Sequence, residues 1–176
     1  MASGWRTTKP VGEFAPYYQS YVDEAAAGDV VATLEAQQRE TAALLKTVSA
    51  VKADFRYAPG KWTVKEVIGH LADSERVFAF RALWFARADQ SPVPGFDENA
   101  WVPAGDFGGR ALPDIAAEFA AVRAGTIAFA GSLGEAAAAR RGSANGKEIS
   151  VRALIWIVAG HERHHLQVLR ERYLGG

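Results

Sequence analysis

Apolar side chains recur at close to 3.6-residue spacing over four long stretches of this 176-residue chain. That period commits each stretch to a helix with one buried face. The first runs from about Asp29 to Val51, with Leu34, Thr41, Leu44, Leu45, Val48 and Val51 along the stripe and Asp29 as the N-cap. The second follows Pro59-Gly60, opens on Thr63-Val64-Lys65-Glu66 and continues to about Ala88. That tetrapeptide reads as a capping box, in which threonine and glutamate satisfy each other's free backbone amides. The third carries Pro113 in its first turn and runs to about Ala130. Ser150 caps the fourth, which reaches about Leu174. Pro16 to Ala26 predicts a short extra N-terminal helix ending at Gly28, and residues 136–140 a single helical turn. Period-2 alternation is missing over any useful length, so no sheet is expected. The expected fold is all-α: an up-down-up-down four-helix bundle forming one domain over residues 1–176.

Charge and composition narrow the function classes. Twenty basic and twenty acidic residues cancel, which removes the electrostatic argument for nucleic acid or an anionic membrane as partner. There is no cysteine, so disulfides, thiolate metal sites and a cysteine nucleophile are excluded. The first ten residues lack the apolar core of a signal peptide, and the longest apolar run, Ala153 to Gly160, is far short of the roughly 20 residues that span a bilayer. A cytoplasmic protein is expected.

Three of the four histidines fall in one pentapeptide, His161-Glu162-Arg163-His164-His165. Residues i and i+4 share a helix face, their Cβ atoms about 6 Å apart. His161 and His165 can therefore close on one ion, and their face also carries Leu154, Ile157, Val158 and Val168. His70 sits on the inward stripe of the second helix with Val67, Ser74, Val77 and Trp84. In an up-down-up-down bundle the second and fourth helices run parallel. At 1.5 Å per residue His70 then lies about 10 Å and His161 about 16 Å beyond their caps, levels at which the three rings converge. Three buried imidazoles without a shared partner would carry unmet desolvation cost. A divalent metal on His70, His161 and His165 is the expectation, with coordination positions left for water or substrate. His164 lies off this face as a flanking residue.

The pentapeptide also matches H-E-x-x-H, the zinc-protease pattern with Glu162 as general base. Those proteases usually take a third ligand from downstream, where no histidine remains, and commonly hold peptide against a sheet edge. A third ligand arriving from upstream points elsewhere.

Taken together, four landmarks resemble the DinB-like (DinB/YfiT-like) superfamily of small metal-binding bundles. They are Tyr57-Ala58-Pro59-Gly60-Lys61-Trp62-Thr63-Val64-Lys65-Glu66, Gly69-His70-Leu71-Ala72-Asp73-Ser74-Glu75-Arg76, Pro94-Gly95-Phe96-Asp97 and Gly160-His161-Glu162-Arg163-His164-His165. The resemblance covers essentially the whole chain. It places the family's three metal-binding histidines on His70, His161 and His165, and implies zinc or nickel as the ion and a bundle that often forms a homodimer. Among relatives it implies thiol-dependent transferases or isomerases using a low-molecular-weight thiol, and metal-dependent hydrolases. A small-molecule substrate is the expected partner.

Two catalytic readings and one structural reading share the site. The metal lowers the pKa of a small thiol and presents a thiolate, or it lowers the pKa of water and delivers hydroxide; otherwise its binding energy serves folding. The family favours the thiol. Asp73 is a candidate for orienting a ligand imidazole or binding a substrate proton, with Glu162 the other candidate catalytic group. The connection from Asp89 to Pro113 is long for a bundle and offers Phe96, Asp97, Asn99 and Trp101 as binding residues, although it leaves from the far end of the second helix and must fold back to reach the ion. Arg56, Trp62, Arg140 and Arg141 sit in the other connections, where the arginines suit a carboxylated thiol.

Overall fold

A computed structural model describes residues 4–175. The chain runs α1 (Gly4–Thr7), α2 (Gln19–Glu24), α3 (Val30–Lys46), α4 (Ala50–Ala53), α5 (Val64–Ala86), α6 (Glu98–Ala104), α7 (Leu112–Ser132), α8 (Glu135–Ala138), β1 (Arg141–Ala144), β2 (Lys147–Ser150) and α9 (Val151–Val168). A π-helical turn, Leu169–Leu174, extends α9. The long helices α3, α5, α7 and α9 form the expected four-helix bundle. Among the described residues no helix is long and apolar enough to cross a membrane.

The caps read from the sequence are in place. Asp29 Oδ1 accepts from Val31 N at 2.8 Å and Ala32 N at 3.2 Å. Thr63 Oγ1 accepts from Glu66 N at 3.1 Å, while Glu66 Oε2 accepts from Thr63 N at 2.6 Å. Ser150 Oγ accepts from Ala153 N at 3.1 Å. One boundary moves. The first helix stops at Lys46 rather than Val51, because the Thr47 hydroxyl donates to Leu44 O and Ser49 starts a new turn, α4, by accepting from Lys52 N.

A two-stranded antiparallel hairpin, β1–β2, stands where no sheet was expected. Its strands are too short to show alternation, but Asn145 (φ 52°) and Gly146 (φ 70°) are both left-handed. An Asn-Gly pair in that conformation forms the tight turn whose twist matches two antiparallel strands. Val93 joins the edge, its amide donating to Ser143 O while its carbonyl accepts from Asn145 N. The long connection between α5 and α7 is thereby tied to the hairpin.

Helix direction departs from the sequence expectation. Leu45, Val64, Ile68, Leu112, Ile115, Leu166 and Leu169 share one core cluster, and Val30, Leu34, Ala82, Phe85, Ala130, Leu154 and Ile155 share the other. The starts of α5 and α7 therefore meet the ends of α3 and α9 at one end of the bundle. The order is up-down-down-up, not up-down-up-down, and α5 and α9 run antiparallel rather than parallel. Helix α3 packs on α7 and α9, and α5 packs on the same two. The first two long helices thus occupy opposite corners, and α5 lies beside α9. Because α7 starts at the same end as α5, the connection between them must travel back along the bundle.

The N-terminal segment packs against α9. Trp156 Nε1 donates to Trp5 O at 3.2 Å, and both indoles are buried. The Glu13 carboxylate accepts from Ser150 Oγ at 2.7 Å and from Arg152 Nε at 2.8 Å. Helix α2 comes so close at Gly160 that an added Cβ would sit 1.7 Å from the Tyr21 carbonyl oxygen. That clash is with backbone, so it cannot be relieved by a rotamer. Gly160→Ala is expected to destabilise the fold by about 1–3 kcal/mol or more, read as a lower denaturation midpoint; an unchanged midpoint would contradict this packing.

Candidate metal centre

Helix α5 supplies His70 and helix α9 supplies His161 and His165. His70 Nε2 and His161 Nε2 are 3.1 Å apart, and His165 Nε2 lies 3.1 Å from His161 Nε2. One ligand atom from each ring falls within 4.8 Å of the others. Nitrogens bonded at about 2.0–2.1 Å to one tetrahedral ion stand about 3.3–3.4 Å apart, close to the observed spacing. The donor set fits a divalent ion that accepts imidazole nitrogen, a class that includes zinc and nickel.

The surroundings hold the rings in the ligating state. His70 and His161 are buried and His165 half-buried. Burial pushes His70 down to about 4 and His165 down to about 3, with His161 also well below the usual range. The neutral form, which carries the lone pair a metal needs, is therefore favoured. Ser74 Oγ lies 3.3 Å from His70 Nδ1, positioned to fix the ring with Nε2 facing inward. Trp62 packs on His70 at a tilt, with centroids 4.7 Å apart and planes at 43°, and the Tyr21 ring meets His161 edge-on at 5.1 Å.

One side of the centre opens into a cleft of about 440 Å³, which His70 and His161 help to line. Its walls carry Ser74, Phe78 and Arg81 from α5, Tyr18 and Tyr21 from the N-terminal segment, and Phe96 and Glu98 from the long connection. Burial pushes the Tyr18 and Tyr21 phenols up, so both stay neutral. A larger groove of about 660 Å³ between α3 and α7 is mostly apolar and contains none of the histidines.

The other candidates from the sequence fall in varied places. Glu162 faces the core: Oε1 accepts from Thr41 Oγ1 at 2.6 Å, and Oε2 pairs with Arg123, whose other side holds Glu75 at 2.8 Å. Asp73 is half-buried and pairs with Arg76 at 3.2 Å in a network with Glu118 and Arg110. Asp97 caps α6 by accepting from Asn99 N at 2.9 Å. Trp101 is 44% exposed and packs at a tilt against Phe96 at 4.9 Å, and of that pair it is Phe96 that lines the cleft. Arg56 pairs with Glu66, Arg140 donates to Ala86 O and Arg141 pairs with Glu148. His164 Nδ1 lies 3.4 Å from Glu24.

Sequence reasoning missed Tyr18, Tyr21, Phe78 and Arg81 as cleft residues. For the two on α5 a signal existed, since Ser74, Phe78 and Arg81 follow His70 at i+4, i+8 and i+11, along one helix face. For the tyrosines none did, because their place depends on how α2 docks.

His70→Ala and His161→Ala are each expected to cut bound metal from about one ion per chain to near zero, measured by elemental analysis of protein purified without a histidine tag. Full metal content in both variants would refute the triad. Arg123→Ala strands two buried carboxylates and is expected to cost about 3–5 kcal/mol in denaturant unfolding, whereas Glu162→Gln should retain metal.

Comparison with known proteins agrees with the bundle. The chain is similar in structure to YfiT from Bacillus subtilis, described as a probable metal-dependent hydrolase with an unusual four-helix bundle topology, at a TM-score of 0.67 and 18% identity over 93% of each chain. No curated protein matches. The sequence profile of the DinB superfamily matches residues 33–169, which include all three histidines. This chain belongs to the DinB superfamily.

Proposed function

We propose that this chain is a divalent-metal-dependent enzyme that activates a small thiol for transfer to an electrophile held in the cleft. The observation that carries this reading is a three-nitrogen cluster whose open side gives onto a cleft of about 440 Å³. A divalent ion bound there supplies Lewis acidity, lowering the pKa of a coordinated thiol or water. The protein's own groups do the rest. Ser74 and Trp62 hold the His70 ring, while Tyr18, Tyr21, Phe78 and Phe96 wall the cleft with aromatic side chains. A purely structural metal would be expected in a closed four-ligand site without a cavity beside it.

Sulfur is favoured over water by where the carboxylates point. Glu162 is committed to Arg123 and Thr41, and Asp73 to Arg76. The carboxylate base of the H-E-x-x-H arrangement is thus not presented to the triad. A thiol starts from a pKa of about 8.5 and water from about 15.7, so without a base to help the same ion leaves the thiol the more fully ionised. The resemblance to thiol-dependent members of the family supports the same choice.

Hydrolysis is the second reading, and the description of YfiT as a probable metal-dependent hydrolase favours it. One experiment separates the two. Protein loaded with zinc or nickel is incubated with a panel of biological thiols and 1-chloro-2,4-dinitrobenzene, and in parallel with p-nitrophenyl esters and no thiol. Conjugation above the buffer rate, abolished by EDTA and by His161→Ala, is the expected outcome. Ester turnover without thiol would transfer the assignment to hydrolysis. No turnover in either arm would reject both.

A further inference from the structure

Among the described residues two arginines are buried, and they are provided for differently. Arg123 is 0% exposed and lies between Glu75 and Glu162. Arg81 is 2% exposed, yet among the described residues no carboxylate stands within ion-pair distance of it. Its Nη2 donates to Pro94 O at 2.7 Å, and the Phe96 ring centre lies 5.8 Å from the guanidinium carbon. Among the described residues its Nε has no partner, and the Tyr18 phenol beside the guanidinium is a neutral group rather than a counter-ion. A charge withdrawn from water without a counter-ion is costly, and proteins rarely keep one without a use.

The position of Arg81 indicates what that use is. His70, Ser74, Phe78 and Arg81 line one strip of α5, all facing the cleft. Three helical turns separate the first from the last, about 16 Å along the axis. The cleft therefore has the triad toward one end of that strip and an unpaired guanidinium toward the other. Asn145 and Lys147 from the hairpin, and Glu98 from α6, also line it. Arg81 and Lys147 against Glu98 leave one positive charge, which matches a monoanion better than a dianion.

We infer that Arg81 is the anion-recognition residue of this cleft and binds a carboxylate at the end of the substrate remote from the three histidines. The inference rests on the cleft being the substrate site, as proposed above. It names the substrate class: elongated molecules with a reactive group at one end and a carboxylate at the other. The planar guanidinium suits carboxylate because it can offer two parallel N–H donors. The arginines in the connections, Arg56, Arg140 and Arg141, are all engaged by protein groups and do not line the cleft.

The test is a binding measurement, independent of turnover. Zinc-loaded protein is titrated calorimetrically with ω-mercapto acids of three, six and eleven carbons and with the ω-mercapto alcohols of the same lengths. At the best length the acid should bind about tenfold or more tightly than the alcohol. In Arg81→Gln that preference should collapse to about twofold or less with the alcohol's affinity unchanged. A merely structural arginine would weaken acid and alcohol together. Should Arg81→Gln fail to fold, Arg81→Lys keeps the charge and loses the fork, and should weaken the acid selectively.

Equal affinities in the wild type, a preference that survives Arg81→Gln, or a parallel loss of both ligands in Arg81→Lys would overturn the inference. Zinc-free protein titrated with hexanoate and hexanol separates this failure from failure of the metal reading. If only the metal reading fails, thiol affinity is indifferent to zinc while the acid preference persists. If only Arg81 is misassigned, zinc still strengthens thiol binding but the charge preference is absent.

Discussion

Three imidazole nitrogens cannot be taken out of water and pressed to 3.1 Å without something between them to share. Much of the bundle's arrangement serves that contact. Helices α5 and α9 must be neighbours, His70 must reach the level of His161 and His165, and the rings must be neutral. The antiparallel packing meets the first two conditions and burial meets the third. Ser74, Trp62 and Tyr21 then fix orientations that side-chain rotation would otherwise blur. The donor set is consistent with the chain's membership of the DinB superfamily.

Beside the centre lies a second buried polar cluster with the opposite logic. Glu75, Arg123 and Glu162 satisfy one another, and Thr41 and Leu34 O complete the set. Glu162 adjoins a metal-ligand candidate in sequence, but its carboxylate is taken up by Arg123 and Thr41. An H-E-x-x-H string therefore carries different chemistry according to which neighbour receives the glutamate. Here an arginine from α7 receives it. Lysine would suit the position less well, since the guanidinium meets Glu75 with Nε and Nη2 and Glu162 with Nη1 in one fixed plane.

The up-down-down-up order also explains the cleft. Two consecutive helices running the same way need a connection that returns the length of the bundle. That connection carries Phe96 and Glu98 past the open side of the triad, and Val93 anchors it to the hairpin. A sequential hairpin bundle would place a short turn there and leave the histidine face without that wall. The same connection supplies the carbonyl that Arg81 holds, so cleft shape and cleft charge are set together.

By itself the sequence determined the local elements and the donor set. Caps at Asp29, Thr63 and Ser150 were legible because they depend on residues two or three positions apart, and so was the His161–His165 pair, four apart. The hairpin was missed: its one local signal is Asn145-Gly146, and its strands are too short to show alternation. Tertiary structure alone decided which helices became neighbours and in which direction they ran. The parallel arrangement inferred for the second and fourth helices also brought the histidines to similar depth, so ring level did not discriminate between directions. Packing did: core clusters pair the start of α5 with the end of α9. The docking of α2 at Gly160, the burial of Arg81 without a counter-ion and the capture of Glu162 by Arg123 all depend on contacts between residues far apart in the chain. No spacing rule reaches such contacts, because they are selected by the packing of whole faces.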